Sequence, residues 1–184
     1  RGQHEFDFGF TNALTMADQF VFLRFMAKKV AQSIGAVATF MQKPFSGDFR
    51  SGAHFNMSLA DIESGVNQFA HDASRGTGLS DKYDAPMSDL AYHFTAGVLE
   101  HANSTTAFAC PTYNSYQGLL AQGDLADFSW APILVVWGKN NRSAMLRLPQ
   151  ARFAIENRAA DMCMNPYLGM GMTADGGLRL KPQN

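Results

Sequence analysis

Phe6, Phe8 and Phe10 occupy every second position between Glu5 and Phe10, with acidic or small residues between them. A period of two belongs to a strand, and the pattern predicts one here. The period then changes. Met16, Phe20, Leu23, Ala27, Val30 and Ile34 recur at intervals of four and three, which lays one apolar stripe along a helix. Thr11 or Thr15 is available to cap its first turn and Gly35 to end it. Ala36 to Phe40 is apolar and partly β-branched, and is expected to form a buried strand.

Pro44, Gly47 and Gly52 mark Lys43 to Gly52 as a loop. Alternation returns from Ala53 to Leu59. There Ala53, Phe55, Met57 and Leu59 share one face of a predicted strand, and His54, Asn56 and Ser58 share the other. A polar loop with Gly65, Gly76 and Gly78 follows. Leu90, Phe94, Gly97, Val98 and His101 predict a helix from about Asp89 to Asn103, and Pro111 ends the apolar stretch beyond it. Gly118 to Asp127 reads as a polar loop. Three short strands are expected at Ile133 to Trp137, Ala144 to Leu148 and Phe153 to Asn157. Asn165-Pro166 pairs a capping residue with proline at the first helical position, so a last helix starts there. Strands and helices mix without regular βαβ alternation or an internal repeat. The expected class is α+β, a mostly antiparallel sheet with packed helices.

Composition narrows the function. The chain has 184 residues, 46% of them hydrophobic, enough for one core with room for an appended subdomain. Its 15 basic and 16 acidic residues nearly cancel, which argues against a nucleic-acid or membrane surface. No apolar run approaches the roughly 20 residues of a membrane span, and no signal peptide opens the sequence. Two cysteines, Cys110 and Cys163, do not make a disulfide framework, so the cytoplasm is the expected compartment. The chain opens at Arg1 inside a motif, without methionine, and is expected to be a fragment.

Candidate chemistry lies on the polar faces of strands. His54, Asn56 and Ser58 point one way. Glu156 and Arg158 are also two apart, although a carboxylate beside a guanidinium is often an ordinary surface pair. Arg147 interrupts Met-Leu-Arg-Leu, a costly place for a guanidinium unless it meets an anion. Arginine suits carboxylate and phosphate because its planar fork donates two parallel hydrogen bonds. The alternative for Arg147 is a strand with one solvated face.

Six segments then identify a resemblance. They run in order: Gly2-Gln3-His4-Glu5; Ala38-Thr39-Phe40-Met41-Gln42-Lys43-Pro44; and Ser51-Gly52-Ala53-His54-Phe55-Asn56-Met57-Ser58-Leu59. After them come Asn114-Ser115-Tyr116; Asn141-Arg142-Ser143 with Arg147-Leu148-Pro149; and Glu156-Asn157-Arg158 with Asn165-Pro166-Tyr167-Leu168. The chain resembles the glutamine synthetase family along nearly its whole length. The stretch from Gly123 to Pro132 is more similar to the branch containing γ-glutamylmethylamide synthetases.

The resemblance implies a guanido kinase-like catalytic domain over residues 1–184, incomplete on its amino-terminal side. It implies an ATP-dependent ligase that joins glutamate to ammonia or a small amine through γ-glutamyl phosphate, with Mg2+ or Mn2+. By likeness, Glu5 corresponds to a ligand of the glutamate-side metal, and His54 and Glu156 to ligands of the nucleotide-side metal. Ser58 and Arg147 correspond to nucleotide-contacting positions. Asn56 stands where the family commonly has a histidine at that site. Arg142 and Arg158 correspond to catalytic arginines near the transferring phosphate. Relatives assemble as ring-shaped homo-oligomers.

Some positions depart from the family. Gly118 stands where an arginine usually binds the glutamate carboxylate, and Ala154 where another arginine often sits. Phe49-Arg50 replaces a small, glycine-containing pair. Trp130 precedes Ala-Pro where the ordinary enzyme has an acidic residue that handles ammonium. These departures leave open a second reading, a non-catalytic structural relative.

Overall fold

The computed structural model describes residues 2–71, 78–119 and 131–179. The chain divides into two compact units, one up to Thr39 and one from Phe40 onward.

In the first unit, α1 (Ala13–Ser33) forms where the apolar stripe predicts it, but neither threonine caps it. Asn12 does: its Oδ1 accepts from the Thr15 backbone N–H at 2.9 Å. The helix ends at Ile34, and Gly35 follows at φ +73°, the left-handed conformation that suits glycine after a helix. The two flanking strands predicted from the sequence do not form. Glu5 to Phe10 and Ala36 to Phe40 have no ladder partner among the described residues, and Val37 is 93% exposed. Alternation marks a segment able to line a sheet, but a strand also needs a neighbour to take its N–H and C=O groups. Phe8 instead packs against the ring of Phe20, with centroids 6.4 Å apart.

The second unit is built on a four-stranded sheet. Its strands are β1 (Phe55–Met57), β2 (Leu134–Lys139), β3 (Ala144–Leu148) and β4 (Ile155–Asn157), in the spatial order β1-β4-β3-β2. β4 pairs antiparallel with both β1 and β3, whereas β2 runs parallel to β3. The sheet is therefore mostly antiparallel, with one exception at its edge. The chain returns from β2 to β3 through residues 140–143, where Asn140 adopts φ +53°. β1 and β4 are shorter than expected. Phe153 lies outside β4 and is exposed; its carbonyl accepts from the Asn67 side chain at 2.8 Å.

The helices supply the other layer. The expected helix from Asp89 is two: α3 (Asp89–Glu100) and α4 (Ala102–Ala109), broken at His101. Asn103, Ser104, Thr105 and Thr106 are indifferent helix formers, so the sequence pattern fades there. Burial of Ala102, Thr105 and Ala109 keeps the segment helical. α2 (Gly78–Tyr83) precedes this pair, and α5 (Tyr113–Gln117) follows it under a capping box of Thr112 and Ser115. α6 (Pro166–Arg179) starts as Asn165-Pro166 predicts, with Asn165 Oδ1 accepting from the Tyr167 N–H at 3.1 Å.

One core joins the layers. Phe69, Met87, Phe94 and Val98 pack with Leu146, Leu148 and Ile155. Leu146 and Leu148 flank Arg147, and Ile155 precedes Glu156. Strand alternation therefore sends Leu146, Leu148 and Ile155 to one face and Arg147 and Glu156 to the other. That separation positions the site. Among the described residues, no helix is long and apolar enough to cross a membrane.

Helices α3 and α6 approach through glycine. A Cβ on Gly97 would lie 2.6 Å from the Gly176 carbonyl oxygen, and one on Gly177 would lie 2.5 Å from the Phe94 ring. Gly97→Ala meets backbone that cannot swing aside, and is expected to cost about 1–3 kcal/mol. Gly171→Ala, also in α6, meets nothing within 4 Å and is expected to be neutral or to stabilise by up to about 1 kcal/mol. Thermal unfolding of the two variants checks the contrast.

Candidate active site

The strand registers place three polar side chains in one row. Asn56 on β1 is opposite Glu156 on β4, and Glu156 is opposite Arg147 on β3. Glu156 is the centre of this row, its side chain only 7% exposed. Arg147 Nη1 donates to Glu156 Oε2 at 2.7 Å, and Arg158 Nη1 donates to Oε1 at 2.8 Å. Each guanidinium has a second anchor. Arg147 donates from Nε (3.1 Å) and Nη2 (2.5 Å) to Asn140 Oδ1. Arg158 donates from Nε to the Arg142 carbonyl at 2.8 Å. The turn at 140–143 thus orients both arginines, one through a side chain and one through backbone. His54 brings Nδ1 to 3.7 Å from Glu156 Oε1.

The charges set one another. Burial pushes the Glu156 carboxyl up, but the Arg147 hydrogen bond and the Arg158 and His54 charges outweigh it, so its pKa lies below the ordinary value. Burial lowers the Arg158 guanidinium, and Glu156 opposes the shift. The His54 imidazole is pushed down to about 4, first by burial and then by Arg158, although 36% of its side chain remains open to solvent. At neutral pH it is an uncharged ring with a lone pair available to a cation.

The structure brings together His54, Asn56, Arg147, Glu156 and Arg158, with Arg142 close enough for its charge to act on both His54 and Arg158. Ser58 lies one residue beyond β1 and is half-buried. Glu5 belongs to the first unit, where it is exposed on irregular chain. Trp130 and the rest of residues 120–130 lie outside the described residues. Ala154 is buried just before β4.

Four further residues shape the region without having been assigned a role from sequence. Asn140 holds Arg147, and only its left-handed turn brings it there. Arg50 is buried enough for its pKa to fall to about 10, with Asp161 opposing the shift and Arg158 adding to it. Gln42 is fully buried, as is Asp161, whose Oδ1 accepts from the Cys163 N–H at 2.6 Å. A buried arginine in a loop is visible in sequence only as an odd residue between Phe49 and Ser51.

No group of three or more His, Cys, Asp and Glu side chains is gathered for a metal among the described residues. His54 and Glu156 offer two donors. That fits a hard cation whose remaining ligands are water and phosphate oxygens, the usual situation of Mg2+ beside a nucleotide. With guanidiniums around it, the arrangement can hold a cation and a polyanion together.

Comparison with known proteins names the family. The model of the glutamine synthetase catalytic domain matches residues 1–179. The glutamate–methylamine ligase of Methyloversatilis universalis is 38% identical over 177 residues, covering 96% of this chain and 38% of the relative. The glutamine synthetase of Halobacterium salinarum is 39% identical over 183 residues, covering 97% and 36%. A solved structure described as a GmaS/ADP complex superposes with a TM-score of 0.75 at 35% identity, over 91% of this chain and 36% of that one. The chain belongs to the glutamine synthetase family, and spans little more than a third of the length of these relatives.

Two outcomes test this electrostatic centre. Glu156→Ala leaves two guanidiniums without their shared carboxylate, and is expected to destabilise the second unit by about 3–5 kcal/mol in denaturant unfolding. The folded pKa of His54, about 4, lies below the free value of 6.5, so between these values the unfolded chain holds the extra proton. The contribution of the neutral ring is full above pH 6.5 and is lost as pH falls towards 4. His54→Asn is expected to flatten stability against pH across that window.

Proposed function

We propose that the intact protein is an ATP-dependent ligase that joins the γ-carboxylate of glutamate to ammonia or a small amine. The carboxylate oxygen attacks the terminal phosphorus of ATP and ADP leaves. The amine nitrogen then attacks the acyl carbon of γ-glutamyl phosphate, phosphate departs, and the amine loses a proton. Mg2+ or Mn2+, when bound, neutralises charge on the nucleotide phosphates.

The chain's own residues position and stabilise. His54 and Glu156 would hold the nucleotide-side cation, and Glu5 would contribute to the glutamate-side one. Arg142 and Arg158 would face the phosphoryl group in transit, where fixed positive charge lowers the barrier. Arg147, Ser58 and Asn56 would contact the nucleotide. The single observation that carries the reading is the Glu156 carboxylate, buried and held by Arg147 and Arg158 beside the neutral imidazole of His54. Methylamine is the favoured amine, supported by the methylamine ligase among the relatives. The same proposal makes the chain the carboxyl-terminal part of a catalytic domain, in a ring-shaped homo-oligomer acting in the cytoplasm.

A second reading, a non-catalytic relative, is favoured by Gly118 and Ala154, which lack the arginines common at those positions. The intact protein is expected to release phosphate from ATP when given glutamate, Mg2+ and methylamine. Arg158→Ala is expected to reduce that rate by roughly 100-fold or more. Absence of turnover with every small amine, together with no Mg2+-dependent nucleotide binding in calorimetry, selects the non-catalytic reading.

A further inference from the structure

The polar row on the sheet does not stop at Arg147. Arg147 on β3 is opposite Gly138 on β2, so the row reads Asn56, Glu156, Arg147, Gly138, and opposed positions on neighbouring strands share a face. The last member has no side chain, and the chain itself takes the space. A Cβ on Gly138 would lie 2.7 Å from Asn141 Cβ, so the turn after β2 folds back over the glycine and onto the polar face. Hydrogen bonds hold it there. The Asn140 N–H donates to the Leu148 carbonyl at 2.9 Å. Asn141 Oδ1 accepts from the Ser143 N–H at 2.9 Å and from the Ser143 hydroxyl at 2.8 Å.

Asn140, at φ +53°, thereby turns its amide oxygen to Arg147. A guanidinium carries five N–H groups in one rigid plane. Two of those on Arg147 go to Asn140 and one to Glu156. Two are left among the described residues, and 17% of the side chain stays open to solvent. The single bond to Glu156 would let the guanidinium plane turn about it. Asn140, bonded to the opposite edge, removes that freedom, and a guanidinium that does not pivot meets an anion without having to be ordered first. The same turn holds Arg158 through main chain only, by the Arg142 carbonyl. One turn therefore fixes two arginines by different means.

We propose that Asn140 and Gly138 are positioning residues: Asn140 fixes the plane of Arg147 for the nucleotide phosphates, and Gly138 leaves the slot through which the turn reaches both arginines. This rests on the nucleotide contact of Arg147 in the ligase reading above. The two residues can be tested apart. Glycine accepts φ +53° at least as readily as asparagine, so Asn140→Gly removes the amide and keeps the turn. Gly138→Ala keeps the amide and displaces the turn, because the added Cβ meets Asn141 Cβ rather than the end of a flexible side chain.

In the intact protein, Asn140→Gly is expected to raise the KM for ATP roughly 10-fold, with the KM for glutamate and the melting temperature unchanged. Asn140→Asp, which keeps an acceptor in place, is expected to fall between Asn140→Gly and wild type. Gly138→Ala is expected to disturb both arginines, raising the KM for ATP and lowering kcat by roughly 10-fold or more. An unchanged KM for ATP in Asn140→Gly overturns the proposal. So does a joint rise in both KM values with a fall in melting temperature, the mark of a turn that serves stability alone. Wild-type kinetics in Gly138→Ala overturn the part assigned to the glycine. If wild type turns over no amine, the ligase reading fails by itself, and calorimetry with ATP and Mg2+ decides the role of Asn140. Weaker nucleotide binding by Asn140→Gly than by wild type upholds it; equal binding, or none by wild type, overturns it.

Discussion

Glu156 is a buried carboxylate that stays ionised because two guanidiniums share it, and the second unit is arranged around that fact. Arg147 reaches it across the β3–β4 register and Arg158 from the residue after β4. Each arginine is anchored again in the 140–143 turn. Taking three charges out of water is expensive, and only tight geometry offsets the cost. The sheet supplies that geometry. Its apolar side is locked to α3 by the shared core, so its polar side has little freedom to drift.

The same cluster prepares the site for chemistry. Because the guanidiniums hold Glu156 anionic and the surroundings hold His54 neutral, both side chains stand in the protonation state that a hard cation needs. The guanidiniums of Arg147 and Arg158 stand fixed beside it. Such preorganised charge is what phosphoryl transfer asks of a protein, since there is little covalent work for side chains to do.

Much of the fold was legible. The stripe from Met16 to Ile34 predicted α1, Asn165-Pro166 predicted the start of α6, and β3 lies on the residues expected. Period and capping chemistry are local properties, carried by side chains a few positions apart. Strands at Glu5 to Phe10 and Ala36 to Phe40 did not form because alternation and β-branched composition are also local, while strand pairing is not. The division at His101 was missed for a related reason: α4 is held by packing, not by propensity.

For the site, sequence by itself determined the inventory: an imidazole and an asparagine on one strand face, a carboxylate and an arginine two residues apart, and an arginine set within an apolar strand. It also determined the family, through motifs whose order survives in the chain. Only the tertiary structure decided that Arg147 and Arg158 close on the same carboxylate, that Asn140 turns back to hold Arg147, and that Arg50 stands against Gly118. Those relations join residues up to 68 positions apart. Their energies depend on burial and register, which exist only once the sheet has paired and the helices have covered one of its faces.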